Sequence, residues 1–155
     1  MYYQALPTHP RVEAADQFDA LYRRARLSSL WSRLTQHSQQ LLCMKQIRAQ
    51  LGFGTRWQGI SRSVPLAEIR GSVNRCGDFD AAFRPLRAHI RERWIAIAMA
   101  TQAEVRLPAV ELVRINNTYF VVDGHHRISV AKTKGLAAID AHVIEWQGAR
   151  GGSSC

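Results

Sequence analysis

The sequence predicts one α/β (α+β) domain with a helical segment before it, and three local patterns support this. Apolar residues recur at intervals of three and four over residues 16–51, a stretch without proline or glycine, which is typical of an amphipathic helix. Two apolar runs flank the turn-forming pair Asn116-Asn117, as in a β-hairpin. An apolar strand then ends in five polar residues, 123–127, where another helix begins.

The first 63 residues are predicted to form a basic helical arm and its linker. A helix is expected over 16–51, with a break near Ser38 and with Gly52 as its C-terminal cap. Residues 53–63, which include two glycines, are predicted to form a loop. Three aromatic residues of the helix lie on its apolar stripe and are therefore predicted to be core residues: Phe18, Tyr22 and Trp31.

The compact domain is predicted to span residues 64–146, with a disordered tail at 147–155. Its first half is expected to contain a short strand at 64–69, a turn at Gly71-Ser72, a brief helix capped within 78–80 and interrupted by Pro85, and a helix over 90–103. Its second half is expected to contain hairpin strands at 110–115 and 118–122, a helix over 128–134 ended by Gly135, and a last strand at 139–144.

The chain is strongly basic, with a formal net charge of +9, and eighteen of its twenty-one basic residues are arginines. The planar guanidinium group of arginine matches the geometry of phosphate oxygens. Residues 1–63 carry +6 of this charge. Two interpretations stay open: the arm contacts DNA or another polyanion, or it is a solvated helix face. The arginines of the arm that would contact nucleic acid are Arg23, Arg24, Arg26 and Arg33.

Several function classes are not indicated. No apolar run approaches the ~20 residues that a membrane span requires, and the first residues lack the pattern of a signal peptide. We therefore expect a cytoplasmic protein without a membrane partner. Cys43, Cys76 and Cys155 are odd in number, far apart and without metal-ligand spacing. Reduced thiols are predicted, with no disulfide framework and no zinc or haem site.

The most informative motif is Asp123-Gly124-His125-His126-Arg127, at the junction between a strand and a helix. The first N–H groups of a helix lack internal partners and carry the positive end of its dipole, so they attract anions. Gly124 lets the backbone approach a ligand, His126 can donate to a phosphate oxygen, and Arg127 can bind two oxygens at once. Asp123 can hold a metal ion or accept a proton. The motif therefore predicts a nucleotide-phosphate site.

Other interpretations of these residues exist. Asp123 could simply cap the helix, since aspartate is a preferred N-cap residue. His125 and His126 could ligate a metal with Asp123, although adjacent side chains point in different directions and no zinc-binding spacing is present. Arg127 could form only a structural salt bridge, but a cation at a helix N-terminus is unfavourable unless an anion lies there.

Residues 64–145 resemble the ParB/sulfiredoxin superfamily, also known as the ParB-like nuclease domain, which implies a mixed sheet with packed helices. The matching features are Val64-Pro65-Leu66-Ala67-Glu68-Ile69, Arg75, the hairpin, the Asp123–Arg127 motif, and Ile128-Ser129-Val130-Ala131-Lys132 with Gly135. A group of small bacterial ParB-like proteins is similar in further segments, namely Gly71-Ser72-Val73, Asp78-Phe79-Asp80, Arg93-Trp94, Leu107-Pro108 and the Asp-Gly-x-His-Arg signature.

In such relatives the motif binds the phosphates of a nucleotide: CTP in partition proteins, ATP in sulfiredoxins, and ADP or ATP in free-serine kinases. The resemblance therefore implies ATP, ADP or CTP with Mg²⁺ as the ligand. The phosphate-binding residues that it implies are Gly124, His125, His126 and Arg127, with Arg75 as a further contact.

The resemblance also implies a catalytic or Mg²⁺-binding role for Asp123, with Glu68 as the candidate second carboxylate of a kinase. His125 stands where sulfiredoxins carry their reactive cysteine, which argues against a sulfinic-acid reductase.

Two functions are open at this point. The first is nucleotide binding, with or without hydrolysis or phosphoryl transfer. The second is a non-enzymatic DNA-associated module of the partition or regulatory type. Partition proteins carry a helix-turn-helix domain and a dimerisation segment after this fold, whereas only about ten residues follow Glu145. DNA would therefore be contacted by the basic arm or by a partner, and a homodimer is one such assembly.

Overall fold

The computed structural model describes residues 9–35, 40–51, 55–56 and 59–147. The helices in these residues are α1 Pro10–Thr35, α2 Met44–Leu51, α3 Arg91–Gln102 and α4 His125–Thr133, and two short 3-10 helices lie at Leu66–Glu68 and Ala88–Ile90. The strands are β1 Leu42–Cys43, β2 Thr55–Arg56, β3 Ile60–Pro65, β4 Ile69–Ser72, β5 Val110–Ile115, β6 Thr118–Asp123 and β7 Ala138–Gln147.

The described strands form one mixed sheet in the order β1-β4-β6-β5-β7-β2, and β3 also pairs with β7. β4 and β6 are parallel, as are β5 and β7, whereas β5 and β6 form an antiparallel hairpin. The hairpin turn confirms the prediction at Asn116-Asn117, and Asn116 takes the positive φ of 53° that the turn requires. The predicted mixed sheet with packed helices is confirmed.

Helices cover both faces of the sheet. The main core lies between the sheet and helices α1, α3 and α4, and Phe18, Trp94 and Ile128 are almost completely buried in it. On the other face of the sheet, Val113 of β5 and Phe120 of β6 pack with Met44 of α2. The alternation along β5 and β6 therefore serves two apolar layers.

Helix α1 belongs to the core rather than to a separate arm. Phe18 is 1% exposed, and its ring makes an edge contact with Trp94 of α3 at 5.8 Å between centroids. The predicted boundary between residues 63 and 64 falls inside β3. Trp31, predicted to be buried, is 67% exposed, and the neighbouring apolar residues Leu30 and Leu34 of the second half of α1 are exposed as well. The helix predicted over 16–51 is two helices, α1 and α2, with β1 between them.

Four further local predictions were wrong. The expected strand at 64–69 is the junction of β3, a 3-10 helix and β4, and the expected loop at 53–63 contains β2 and the start of β3. Gly71 lies within β4 and not in a turn, and glycine is required there because a Cβ atom would overlap the ring of Phe120. No helix starts at Asp80, and the next helix in the described chain is the 3-10 helix Ala88–Ile90. The Asp80 carboxylate instead accepts backbone N–H bonds from Ala82 and Arg84, which closes a turn.

The remaining predicted elements are confirmed with shifted ends: α3 lies within 90–103, α4 begins at His125, and β7 extends past both ends of 139–144. Gly135 follows α4 with a φ of 70°, as a C-terminal cap requires. Predictions for Ser38, Gly52 and residues 148–155 lie outside the described residues. Among the described helices, none combines the length and apolarity needed to cross a membrane.

Candidate phosphate-binding site

The site lies at one edge of the sheet, where two parallel strands end together. Ser72 at the end of β4 is paired with Val121 near the end of β6. The chain that leaves β4, residues 73–78, therefore meets the residues that leave β6, the 123–127 motif. Strand ends of this kind are common ligand sites in α/β proteins, because loops and helix starts converge there.

Gly124 makes the sharp transition from β6 to α4. Its φ is 102°, and a Cβ atom at this position would overlap the side chain of Val110. Gly124 is also the N-cap of α4, which has no side-chain capping hydrogen bond. The alternative that Asp123 caps the helix is therefore wrong. The first helical bond runs from the Ile128 N–H to the Gly124 carbonyl at 3.0 Å, so the N–H groups of residues 125–127 precede it.

A small cavity of about 40 Å³ opens at this helix start. Arg75 from the turn after β4 and Arg93 and Ile97 from α3 line it together with residues 123–127. His126 is 8% exposed, and its Nε2 atom is buried without a hydrogen-bond partner in the described part of the protein. The ring of His126 packs edge-on against Phe79.

The His125 ring points into the protein. Its Nε2 atom is 2.8 Å from the hydroxyl of Ser72, which also accepts the backbone N–H of Arg75 at 2.8 Å. The His125 ring stacks on Phe79 with 6.0 Å between centroids. His125 thus joins the start of α4 to the end of β4 while it also lines the cavity, and its phosphate contact stays a prediction.

Arg127 is held by protein groups. It donates to the carbonyl oxygens of Pro108 and Ala109 and forms a 2.5 Å ion pair with Asp123. The Arg127 side chain is 12% exposed, whereas that of Asp123 is 63% exposed. The structural salt bridge foreseen as an alternative is therefore present. The carboxylate of Asp123 neutralises much of the positive charge that Arg127 places near the N-terminus of α4.

Both histidines are neutral at pH 7. Burial lowers the pKa of His125 to about 4, with the positive charge of Arg75 as the next cause. Burial likewise lowers the pKa of His126 to about 4, followed by the positive charges of Arg93 and Arg75. Asp78 and Asp123 oppose both shifts. The lowered pKa values report a partly desolvated, net positive environment.

Sequence analysis did not assign Arg93 or Asp78 to the site. Arg93 precedes Ile97 by one helical turn, so both can face the cavity, and Asp78 pairs with Arg75 at 3.5 Å. The signal for Arg93 was its place in the resembling Arg93-Trp94 segment, but only the packing of α3 against α4 brings it to the motif. A hydrogen bond of 2.9 Å from Trp94 Nε1 to Ser129 fixes that packing.

Other predicted residues do not reach the cavity. Glu68 is exposed at the start of β4, the opposite end of the strand from Ser72, and does not line the cavity. Arg26 and Arg33 line a separate groove of about 780 Å³ between α1 and residues 76–89. Arg23 and Arg24 are exposed on α1 outside that groove.

The cysteine prediction requires a correction, because the structure joins Cys43 to Cys76 in a disulfide. The pairing of β1 with β4 sets Cys43 opposite Ser72, four residues before Cys76, and the two Cα atoms are 5.6 Å apart. This proximity depends on a strand of only two residues, which no sequence pattern indicates. Cys155 lies outside the described residues.

Within the described residues, no group of three or more His, Cys, Asp or Glu side chains is arranged to hold a metal ion. His125 and His126 show why adjacent histidines fail as a chelate here. The Nε2 atom of His125 bonds the Ser72 hydroxyl, whereas the Nε2 atom of His126 has no partner among the described residues. A metal ion at this site would need ligands from a bound molecule.

Comparison with known proteins adds little to this geometry. No protein-family model and no curated protein matches the chain. The structure is similar to the crystal structure of sulfiredoxin from Arabidopsis thaliana, with a TM-score of 0.43 and 16% sequence identity, over 57% of this chain and 88% of that chain. Similarity at this level assigns no residue a role, so membership of the ParB/sulfiredoxin superfamily stays a prediction.

Proposed function

We propose that this protein binds the phosphate groups of a nucleotide at the start of α4. The observation that carries this proposal is His126, whose buried Nε2 atom lacks a partner among the described residues and whose side chain lines the cavity. An unsatisfied buried polar atom costs about 1–3 kcal/mol. A phosphate oxygen could accept a hydrogen bond from Nε2–H and remove this cost.

The charges around the cavity favour an anion. Arg75, Arg93 and Arg127 contribute three positive charges, and Asp123 and Asp78 pair with Arg127 and Arg75. Arg93 is exposed, with no ion pair found among the described residues. The uncapped N-terminus of α4 adds the positive end of its dipole. In this arrangement Arg75, Arg93, His126 and the backbone would contact phosphate, and Arg127 would position the turn.

The dimensions favour a nucleotide over a free phosphate. The cavity of about 40 Å³ is roughly three times the 10–15 Å³ that one water requires, enough for a single phosphoryl group. A neighbouring groove of about 260 Å³ shares Arg127 with the cavity. Apolar side chains dominate its lining, which suits the base and sugar of a nucleotide. They belong to Val105, Leu107, Pro108, Ala131, Leu136 and Ile139.

Asp123 is the exposed carboxylate of the site. One of its oxygens pairs with Arg127, and the other could join nucleotide phosphates in binding Mg²⁺. In a hydrolysis or phosphoryl-transfer reaction, the same carboxylate is the group available to accept a proton. The cavity supports nucleotide binding and no particular reaction. A catalytic role for Asp123 would require that the nucleotide binds there.

A thermal-shift experiment tests this proposal. MgADP, MgATP, MgCTP and inorganic tripolyphosphate would be added to the wild type, Arg93→Ala, His126→Ala and a control, Arg24→Ala, which alters an exposed arginine of α1 outside both the cavity and the groove between α1 and residues 76–89. A ligand at 100 times its Kd stabilises the folded state by about 2.7 kcal/mol, which raises Tm. We expect the rise in the wild type and the control and its loss in both cavity variants. No rise in the wild type with any of the four ligands would refute the proposal.

The groove between α1 and residues 76–89 supports a second candidate function, nucleic-acid binding. Arg26, Arg33, Arg87 and His89 line this groove, and no Asp or Glu is among its described lining residues. Arg26 and Arg33 are seven residues apart, two helical turns, and so present their side chains along one edge of α1. No described carboxylate forms an ion pair with these arginines, although Arg26 donates to the Tyr22 hydroxyl and Arg87 to the Gly77 carbonyl oxygen. A row of guanidinium groups in an open groove is suited to a phosphate backbone.

Salt dependence distinguishes the two functions. Binding of a fluorescent DNA oligonucleotide through the groove should weaken steeply with added salt, and Arg33→Ala should lower the slope by about one. Arg93→Ala should leave DNA binding unchanged. If DNA affinity is insensitive to Arg26→Ala and Arg33→Ala, the groove is not the binding surface.

A further inference from the structure

We propose that the Cys43–Cys76 disulfide is a redox-sensitive modification site that controls the affinity of the phosphate site. This inference rests on the proposed function and adds its regulation. The disulfide joins β1, a two-residue strand at the edge of the sheet, to the turn that carries Arg75. The backbone pairing of β1 with β4 covers only Leu42 with Gly71 and Cys43 with Ser72. Besides an isolated bridge between Gln40 and Asp80, the covalent bond is therefore what connects this edge, among the described residues, to the turn that carries Arg75.

A short chain of contacts connects the disulfide to the cavity. Cys76 follows Arg75 directly, and its sulfur lies 3.5 Å from the Ser72 carbonyl oxygen. The Ser72 hydroxyl accepts the Arg75 N–H and contacts the His125 ring, both at 2.8 Å. The position of Cys76 thus affects the same residues that hold Arg75 and the first turn of α4. Asp78, two residues after Cys76, pairs with the Arg75 side chain.

Cys76 is partly exposed to solvent. Cys76 and Gly77 line the open groove of about 780 Å³ between α1 and residues 76–89. A dithiol reductant can therefore present a thiolate to Cys76 through this groove. The thiolate attacks the Cys76 sulfur, the Cys43–Cys76 bond breaks, and Cys43 leaves as a thiolate that takes up a proton. The second thiol of the reductant then displaces Cys76 as a thiol, and the reductant ends as a disulfide.

Reduction removes the covalent constraint on the turn while the hydrogen bonds of Ser72 remain. Arg75 then samples more positions, and binding has to order it again. We expect reduction to weaken phosphate binding by about five- to tenfold, at the low end of measured couplings between linked sites. Linkage is reciprocal, so bound phosphate must make the disulfide harder to reduce by the same factor. A tenfold effect corresponds to about 30 mV in the potential of this two-electron couple.

The experiment uses the full chain with Cys155→Ser, which removes the third thiol and leaves Cys43 and Cys76. Alkylation of free thiols followed by mass spectrometry first measures the state of the pair after treatment with oxidised or reduced dithiothreitol. Affinities for MgATP and tripolyphosphate are then measured by calorimetry in both states. The midpoint potential of the pair is measured with and without tripolyphosphate. Cys43→Ser and Cys76→Ser, in the same background, provide forms that cannot close.

We expect tighter binding in the oxidised form, a potential lowered by tripolyphosphate, and Cys→Ser variants that bind like the reduced form whatever the dithiothreitol state. Equal affinities in the two states, or two free thiols after oxidation, would overturn the redox inference and leave the proposed function intact. No binding of either ligand in both states would instead refute the phosphate site itself. If a Cys→Ser variant fails to fold, the comparison between oxidised and reduced protein still decides.

Discussion

Acid should destabilise this protein through two buried histidines. His125 and His126 have folded-state pKa values lowered to about 4 from 6.5, chiefly because burial disfavours the charged ring. The unfolded chain binds protons at a higher pH than the folded chain does. The contribution of the two neutral histidines to the free energy of unfolding is therefore fully present above pH 6.5. It decreases as the pH falls toward 4 and is lost below pH 4.

The magnitude follows from proton linkage. With pKa values of 6.5 unfolded and about 4 folded, each histidine costs about 2 kcal/mol at pH 5 and about 0.2 kcal/mol at pH 7. The pair should thus lower the free energy of unfolding by about 3–4 kcal/mol between pH 7 and pH 5, a large share of the 5–15 kcal/mol typical of a domain. The pKa of Asp19 is also lowered, from 3.8 by its hydrogen bond to Arg91, but that contribution is lost only at lower pH.

Urea unfolding followed by circular dichroism at pH 7, 6 and 5, under oxidising conditions, measures this loss. His125→Gln and His126→Gln should each remove about half of the pH-dependent part, whatever their stability at pH 7. His89→Gln changes an exposed histidine and is the matched control, which should keep the full loss. A wild-type loss below about 1 kcal/mol, or the same loss in the His125→Gln/His126→Gln double variant, would refute the assignment.

Two further predictions concern stability. Phe18→Ala should cost about 3–5 kcal/mol, because Phe18 is 1% exposed in the core, whereas Leu34→Ala, at 80% exposure, should change stability by less than about 0.5 kcal/mol. Urea unfolding measures both, and a cost under about 1 kcal/mol for Phe18→Ala would mean that α1 is an independent arm. Gly124→Ala should cost about 1–3 kcal/mol, from its φ of 102° and the overlap with Val110. Gly135→Ala is the control, because Gly135 also has a positive φ, 70°, but a Cβ atom there would have no neighbour within 4 Å. If both substitutions cost the same free energy, the overlap with Val110 contributes nothing to the cost at Gly124.

The parts of the fold that sequence analysis predicted well are those with a long or distinctive local pattern. Helix α3 and the β5–β6 hairpin follow from apolar periodicity and from the conformational tolerance of Asn116-Asn117. The strand-to-helix motif at Gly124 follows from a glycine placed before a helix start, and its positive φ confirms why glycine stands there.

Short strands and split elements could not be predicted in the same way. β1 and β2 have two residues each, which is too short for any periodicity. Gly71 suggested a turn, but it lies in β4, where glycine is needed because the backbone passes close to the Phe120 ring. Trp31 fits the apolar stripe of α1, yet only the first part of the stripe, with Phe18, is buried, whereas Trp31 and Leu34 are exposed. Periodicity predicts which face of a helix is apolar, but not how much of that face other elements cover.

The candidate site shows the same division. The motif at residues 123–127 predicted where the site lies. It also predicted phosphate contacts for several adjacent side chains, whereas in the fold these side chains have different partners. His125 turns to Ser72, His126 lines the cavity, and Arg127 is held by Asp123 and by backbone carbonyl oxygens. Helix geometry sends successive side chains about 100° apart, so their partners depend on what packs around α4.

The sequence by itself determined a strand-to-helix junction at residues 123–127 with an anion-attracting helix start, because those properties depend on a few adjacent residues. The tertiary structure alone decided that Arg93 from α3 and Arg75 from the β4 turn complete the cavity, and that Cys43 meets Cys76. Contacts between distant segments are set by strand pairing and helix packing, in which many weak interactions act together. No local pattern encodes them, and the chemistry of the site depends on them.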